Sequence, residues 1–195
     1  MSEHASQKPP GRLSLDDFLR WDDGTDTRYE LVDGEVCAMN PRLRGHAGLT
    51  ARIASALDRQ LRPPCQAFSA GGLIIPSIKP RYCIPDIVVS CTRGKASDHW
   101  IADPVVVIEV LSPSTGAADR TVKLASYRLL PTVQEILLLR PDEPRAELWR
   151  RTPPAWTVLD LIGPDAVAAL DAVGATLRLG DLYAGLPEDG SGDGG

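Results

Sequence analysis

Three stretches decide the fold: IPDIVVS at residues 84–90, VVVIEVLSPST at 105–115 and AADRTVKLASYRLL at 117–130. The second opens with a run of apolar, mostly β-branched residues, the pattern of a central strand buried on both faces. The first reads as a shorter apolar strand that starts with a proline. SPST supplies turn and cap residues, and a helix is expected from about Ala117 to Leu130. Strands followed by a helix and further strands give a mixed α/β (α+β) domain with helices packed on a sheet.

Each of the two strands contains an acid, and a carboxylate buried among apolar side chains is costly unless it is paired or bound to a metal. Glu109 lies inside VVVIEVL, and Asp86 opens the IVV run. For one such acid, a buried salt bridge or a strand end reaching solvent is the ordinary explanation. Two acids on adjacent strands that supply no cation point instead to a shared divalent ion, and hard oxygen ligands suit magnesium or manganese. On the helix, Asp119, Lys123 and Tyr127 are spaced four apart and share a face. Two readings follow. Asp119 and Lys123 form a surface i,i+4 pair with Tyr127 half-buried, or Lys123 points over the sheet toward Glu109 and acts on a water or on developing charge.

Outward from this centre, Ser14 with Asp17 three residues later marks a helix start for LDDFLRW. Asp33-Gly34 between RYELV and EVCAM signals a two-residue hairpin. Its register places Glu30, Val32, Glu35 and Cys37 on one face. Leu49, Ile53, Leu57 and Leu61 recur every fourth position, so residues 45–61 read as an amphipathic helix ended by Pro63-Pro64. Further strands are expected at 66–70, 73–77, 134–140, 146–151 and 155–162, with a closing segment at 175–185. Residues 1–12 and the Gly/Asp tail 187–195 are too polar to bury a core and are expected to be disordered, leaving a single domain over 13–186.

A net charge of −5 does not suggest a nucleic-acid binder, although a carboxylate metal site itself contributes negative charge that bound ions offset. The cysteines at 37, 65, 83 and 91 form no CxxC pair. In a chain with a real core they are expected as reduced, mostly buried thiols. A zinc site from Cys83, Cys91 and His99 lacks the close ligand pair such sites favour. No signal-like apolar segment and no run long enough to span a membrane is present, so a cytoplasmic protein is expected.

The combination of PDIVV, VVVIEVLSPST and the Asp119-Lys123-Tyr127 helix resembles the Uma-type family of restriction endonucleases. These are small bacterial proteins with the restriction-endonuclease-like fold of the PD-(D/E)xK nuclease superfamily. The likeness extends to RYELVDGE, to His46 before the long helix, and to VQEILLL, AELWRR and LRLGDLY, covering roughly residues 13–186. It implies that Asp86 and Glu109 bind a divalent metal. The superfamily's lysine two residues after the glutamate is replaced here by Leu111, and the resemblance implies that Lys123 takes its role. It also makes Glu30 a further ligand or water-orienting group. His46 would contact phosphate, hydrogen-bond an active-site acid, or merely cap its helix.

The implied activity is metal-dependent endonuclease cleavage of DNA. Two alternatives stay open: a nuclease fold kept as a non-catalytic binding or regulatory module, and a metal-dependent hydrolase of a smaller phosphoester. Candidate DNA contacts are Arg42 and Arg44 after the hairpin, Lys79 and Arg81 before the PD strand, Arg93 and Lys95 after it, and Arg120 on the helix. Ordinary solubilising charge accounts for these residues equally well. Trp149, Trp156 and the run EILLLR offer apolar surface for a homodimer, a symmetry that suits cutting both strands.

Overall fold

The computed structural model describes residues 11–111 and 117–186, with the side chains of 117–119 left out. The expectations for SPST, for the Asp119 side chain, for residues 1–10 and for the tail 187–195 therefore lie outside the described residues. Arg12, assigned by sequence to the N-terminal tail, makes an isolated bridge and an ion pair with Glu35.

The chain opens with α1 (Leu15–Arg20), where Ser14 Oγ accepts from Asp17 N–H as its cap. The hairpin β1 (Tyr29–Val32) and β2 (Glu35–Ala38) pairs Glu30 with Cys37 and Val32 with Glu35, the register expected from the turn. Asp33 and Gly34 both take positive φ, at 53° and 89°, the backbone that makes Asp-Gly the favoured pair in such turns. Helix α2 (Arg44–Asp58) follows, then β3 (Gln66–Ser69), β4 (Leu73–Ile75), β5 (Arg81–Cys83), β6 (Ile87–Ser90) and β7 (Pro104–Val110). Helix α3 (Ala117–Arg128) leads to β8 (Glu135–Leu139), β9 (Arg145–Thr152), β10 (Ala155–Ile162), β11 (Val167–Leu170), β12 (Ala175–Arg178) and α4 (Leu179–Tyr183).

A six-stranded sheet in the order β10-β9-β8-β7-β6-β3 carries the core, beside a four-stranded sheet β2-β1-β5-β4 and the β11-β12 hairpin. Among the described residues only β7 and β8 run parallel, joined through α3 as a strand–helix–strand crossover. Alternation along β7 divides its side chains between two cores. Val106, Ile108 and Val110 pack with Leu49, Ile53 and Leu57 of α2. Val107 packs with Leu124, Tyr127 and Leu130 around α3. Glu109 shares the parity of Val107, so it faces α3.

Strands β5 and β11 are short, and sequence reading passed over both. β5 lies between Pro80 and Pro85, and β11 is only four residues long. Three expectations are corrected. Cys65 and Cys91 form a disulfide, Cys37 is exposed and Cys83 alone is a buried thiol. The cause is register: Gln66 pairs with Ser90, so the residues flanking this pair meet at the strand ends. That bridge also removes Cys91 from any zinc site. EILLL is buried throughout between β7 and β9 and offers no dimer surface. Glu135 within it has Arg150 at 2.9 Å and accepts from the Asp171 and Ala172 N–H groups. Among the described residues no helix is long and apolar enough to cross a membrane.

Ile108, fully buried where β7 meets α2, tests this core. Ile108→Ala is expected to lower the unfolding free energy by about 2–5 kcal/mol, read from urea denaturation. A loss below about 1 kcal/mol would mean that the two layers are not packed through β7.

Candidate active site

The site forms where β6 and β7 run side by side and the ends of α2 and α3 approach them. The ladder pairs Ile87 with Ile108. One step further, Asp86 leaves strand geometry, and its main-chain oxygen accepts the Ala70 N–H at 3.0 Å. Its carboxylate then takes the place of a ladder acceptor: Oδ2 receives the Val110 N–H at 2.7 Å. Asp86 is thereby anchored beside Glu109 by the backbone of the strand that carries Glu109.

Glu109 is gripped from α3. Tyr127, fully buried, donates its hydroxyl to Glu109 Oε1 at 2.5 Å, and Lys123 Nζ lies 3.3 Å from the same oxygen. Burial, and then the Glu109 charge, push the Tyr127 hydroxyl well above its ordinary value, so it remains a donor. Lys123 also lies 3.6 Å from Glu30 Oε1, which accepts the Ile84 N–H at 2.8 Å. Glu30 thus ties the hairpin to the segment leading into Asp86. Of the two readings of α3, the structure takes the one in which Lys123 and Tyr127 face the sheet, one helical turn apart.

From the other side comes the start of α2. His46 Nε2 is 3.2 Å from Asp86 Oδ2, and the Arg42 guanidinium makes an ion pair with Asp86 Oδ1. Arg42 Nη1 also stands 3.1 Å from His46 Nε2. Asp86 Oδ1 is buried, and the Arg42 guanidinium is its charged partner. Three carboxylates thus face two cationic side chains, Arg42 and Lys123, leaving one formal negative charge.

This donor set suits a hard divalent cation. Asp86 and Glu109 bring two buried carboxylates to the same end of neighbouring strands, and magnesium commonly takes one or two carboxylates and completes its shell with water and phosphate oxygens. Among the described residues no three His, Cys, Asp or Glu groups form a ready-made cage. The ion would therefore have to be held mainly by Asp86 and Glu109. Cys83 lies within electrostatic range, but burial pushes its thiol up to about 12, so it is inert there.

The suggested DNA contacts separate into two groups. Arg81 donates to Asp33 at 2.7 Å and to Ser126 Oγ at 2.8 Å, and Arg120 is paired with Glu147. Both are tied into the fold. Arg44, Lys79, Arg93 and Lys95 are exposed. Arg42, which sequence reading grouped with these surface charges, belongs to the site itself. Its spacing of four from His46 across the start of α2 was the signal available.

Burial, and then the neighbouring Arg42 charge, hold the His46 imidazole below its ordinary value of 6.5. The unfolded chain takes up a proton near that pH, whereas the folded chain resists it until lower pH. Acidification through the window just below 6.5 therefore favours unfolding, and the His46 contribution to stability is complete above it. The expected result is an NMR titration midpoint for His46 below 6.5, with His46→Gln showing a shallower loss of stability on acidification. A midpoint above 6.5 would mean that the Asp86 charge outweighs burial.

Known proteins resemble this chain over most of its length. The uncharacterized protein slr1290 of Synechocystis is 28% identical over 189 residues, covering 95% of this chain and 99% of the relative. A second uncharacterized Synechocystis protein, sll1609, is 24% identical over 163 residues, covering 79% and 90%. The crystal structure of a protein from Anabaena variabilis, titled a putative nuclease belonging to DUF820, superposes with a TM-score of 0.71 at 21% identity. That match covers 88% of this chain and 97% of the other, and shows a shared fold. The family described as "Uma2: Putative restriction endonuclease" matches residues 15–179. With nearly all of its ordered elements inside that match, the chain belongs to the Uma2 family.

Proposed function

We propose that the protein is a divalent-metal-dependent endonuclease that hydrolyses DNA phosphodiester bonds in the cytoplasm. The observation that carries this reading is the position of Lys123, within 3.6 Å of both Glu30 and Glu109, beside a buried Asp86. Family membership and a nuclease-like fold support the same reaction class.

In this reading Asp86 and Glu109 would hold magnesium or manganese, which when bound lowers the pKa of a water and polarises the phosphate. The chain's own groups do the rest. The Val110 N–H and His46 fix the Asp86 carboxylate, and Tyr127 fixes that of Glu109. Lys123 would orient the attacking water or meet the charge growing on the phosphoryl oxygens, in the role usually given to a lysine at the position of Leu111. Glu30 keeps Lys123 between the acids and is available as a further ligand.

Exposed Arg44 and Lys79 would contact the DNA backbone, so binding would weaken steeply with salt. A homodimer would suit double-strand cleavage, and the open edge of β10, where Val158, Leu159 and Ile162 are exposed, is a surface for it. The acidic net charge of −5 favours the second reading, a non-catalytic module, which binds no magnesium or manganese at millimolar concentration.

Plasmid DNA incubated with magnesium or manganese should be nicked or linearised by the wild type. Asp86→Ala, Glu109→Ala and Lys123→Ala should each lower the rate by about 100-fold or more. Cleavage that survived all three substitutions would place the chemistry elsewhere.

A further inference from the structure

The proposed reaction has no use for Arg42, yet this residue is ion-paired with Asp86 at the centre of the site. Each acid already has its own neutralising arrangement. Glu109 and Glu30 share Lys123, and Glu109 also takes the Tyr127 hydroxyl. Asp86 has the Val110 N–H and His46 on Oδ2, both uncharged groups when the imidazole is unprotonated. Its charge and its second oxygen are left to Arg42. The Asp86 side chain is wholly withdrawn from solvent, while that of Arg42 retains 27% of its exposure. One partner of the pair is therefore fixed in the sheet, and the other reaches in from the surface.

The arm is carried by a segment outside the regular elements. Arg42 lies in the irregular segment between β2 and α2, outside both elements. Lys123, by contrast, is held on a helix between two acids. A guanidinium stays protonated at every working pH, so it cannot yield its place by losing a proton. A divalent ion arriving at Asp86 Oδ1 would meet a fixed positive charge at ion-pair distance, and the two compete for that oxygen.

We propose that Arg42 is a built-in counter-ion of the metal site: its guanidinium occupies the metal-facing oxygen of Asp86 and must be displaced for a divalent cation to bind. This rests on the reading of Asp86 and Glu109 as metal ligands. The consequence is regulatory. The arm keeps the buried acids neutralised while no metal is present, and it sets the metal concentration at which the site fills. Removing its charge tightens metal binding, whereas removing a ligand or a ligand-positioning group weakens it.

The experiment is manganese binding by calorimetry on the full chain, comparing wild type with Arg42→Gln and Arg42→Lys. Arg42→Gln should bind manganese about tenfold more tightly, within the range usual for coupled binding equilibria. Arg42→Lys, which keeps the charge, should stay close to wild type. Equal or weaker binding by Arg42→Gln overturns the proposal and leaves the metal site standing. Should Arg42→Gln fold poorly, the wild type supplies the test by NMR of its arginine side chains, with Arg42→Lys identifying the signal. Saturating magnesium should convert the hindered Arg42 guanidinium resonance into a freely rotating one, and an unchanged resonance overturns the proposal. If neither wild type nor Arg42→Gln binds manganese at millimolar concentration, the metal reading itself fails, and this inference with it.

Discussion

The hydrogen bond from the Val110 N–H to Asp86 Oδ2, 2.7 Å long and buried, joins β6 to β7 where their ladder ends. The rest of the site depends on it. A carboxylate withdrawn from water needs donors and positive charge close by, because the low-dielectric interior makes an unmet charge costly. Here the sheet supplies the donor and the helices supply the charge. The bend at Asp86, held by the Ala70 N–H, turns the side chain to the end of β7, and Glu109 is the next residue of that strand.

Two helix ends then meet at the sheet. The segment leading into α2 brings Arg42 to Asp86 and the first turn of α2 brings His46, while the face of α3 brings Lys123 and Tyr127 to Glu109. The same helices anchor the two cores on opposite faces of the large sheet. The packing that stabilises the domain is thus the packing that holds the polar cluster in register. This explains how buried acids persist beside 0%-exposed Val106, Val107 and Ile108. It also sorts the arginines: Arg81 and Arg120 brace the fold through Asp33 and Glu147, while Arg42 serves the acids.

The tryptophans have a comparable structural account. Trp149 pairs with Val158 across β9 and β10, and Arg128 and Arg151 lie over the face of Trp156 at 5.6 Å and 4.5 Å. Cation–π contact and strand packing explain them.

Much was legible in the sequence because it is written in local patterns. The two-residue turn at Asp33-Gly34 determined the hairpin register, fourfold spacing determined α2 and α3, and the apolar run with an acid inside marked β7 as central. The acids Asp86, Glu109 and Glu30 stood out because their chemistry conflicts with their neighbourhood, and Lys123 and Tyr127 because helical spacing puts them on one face. What only the tertiary structure decided involves partners far apart in the chain. The Cys65–Cys91 bridge follows from the pairing of β3 with β6, and the burial of β8 from its place between β7 and β9. The pairing of Arg42 with Asp86 joins residues 44 positions apart in the chain. Periodicity reports which face of an element is buried, but not which charge will lie against it; that is settled when the elements pack.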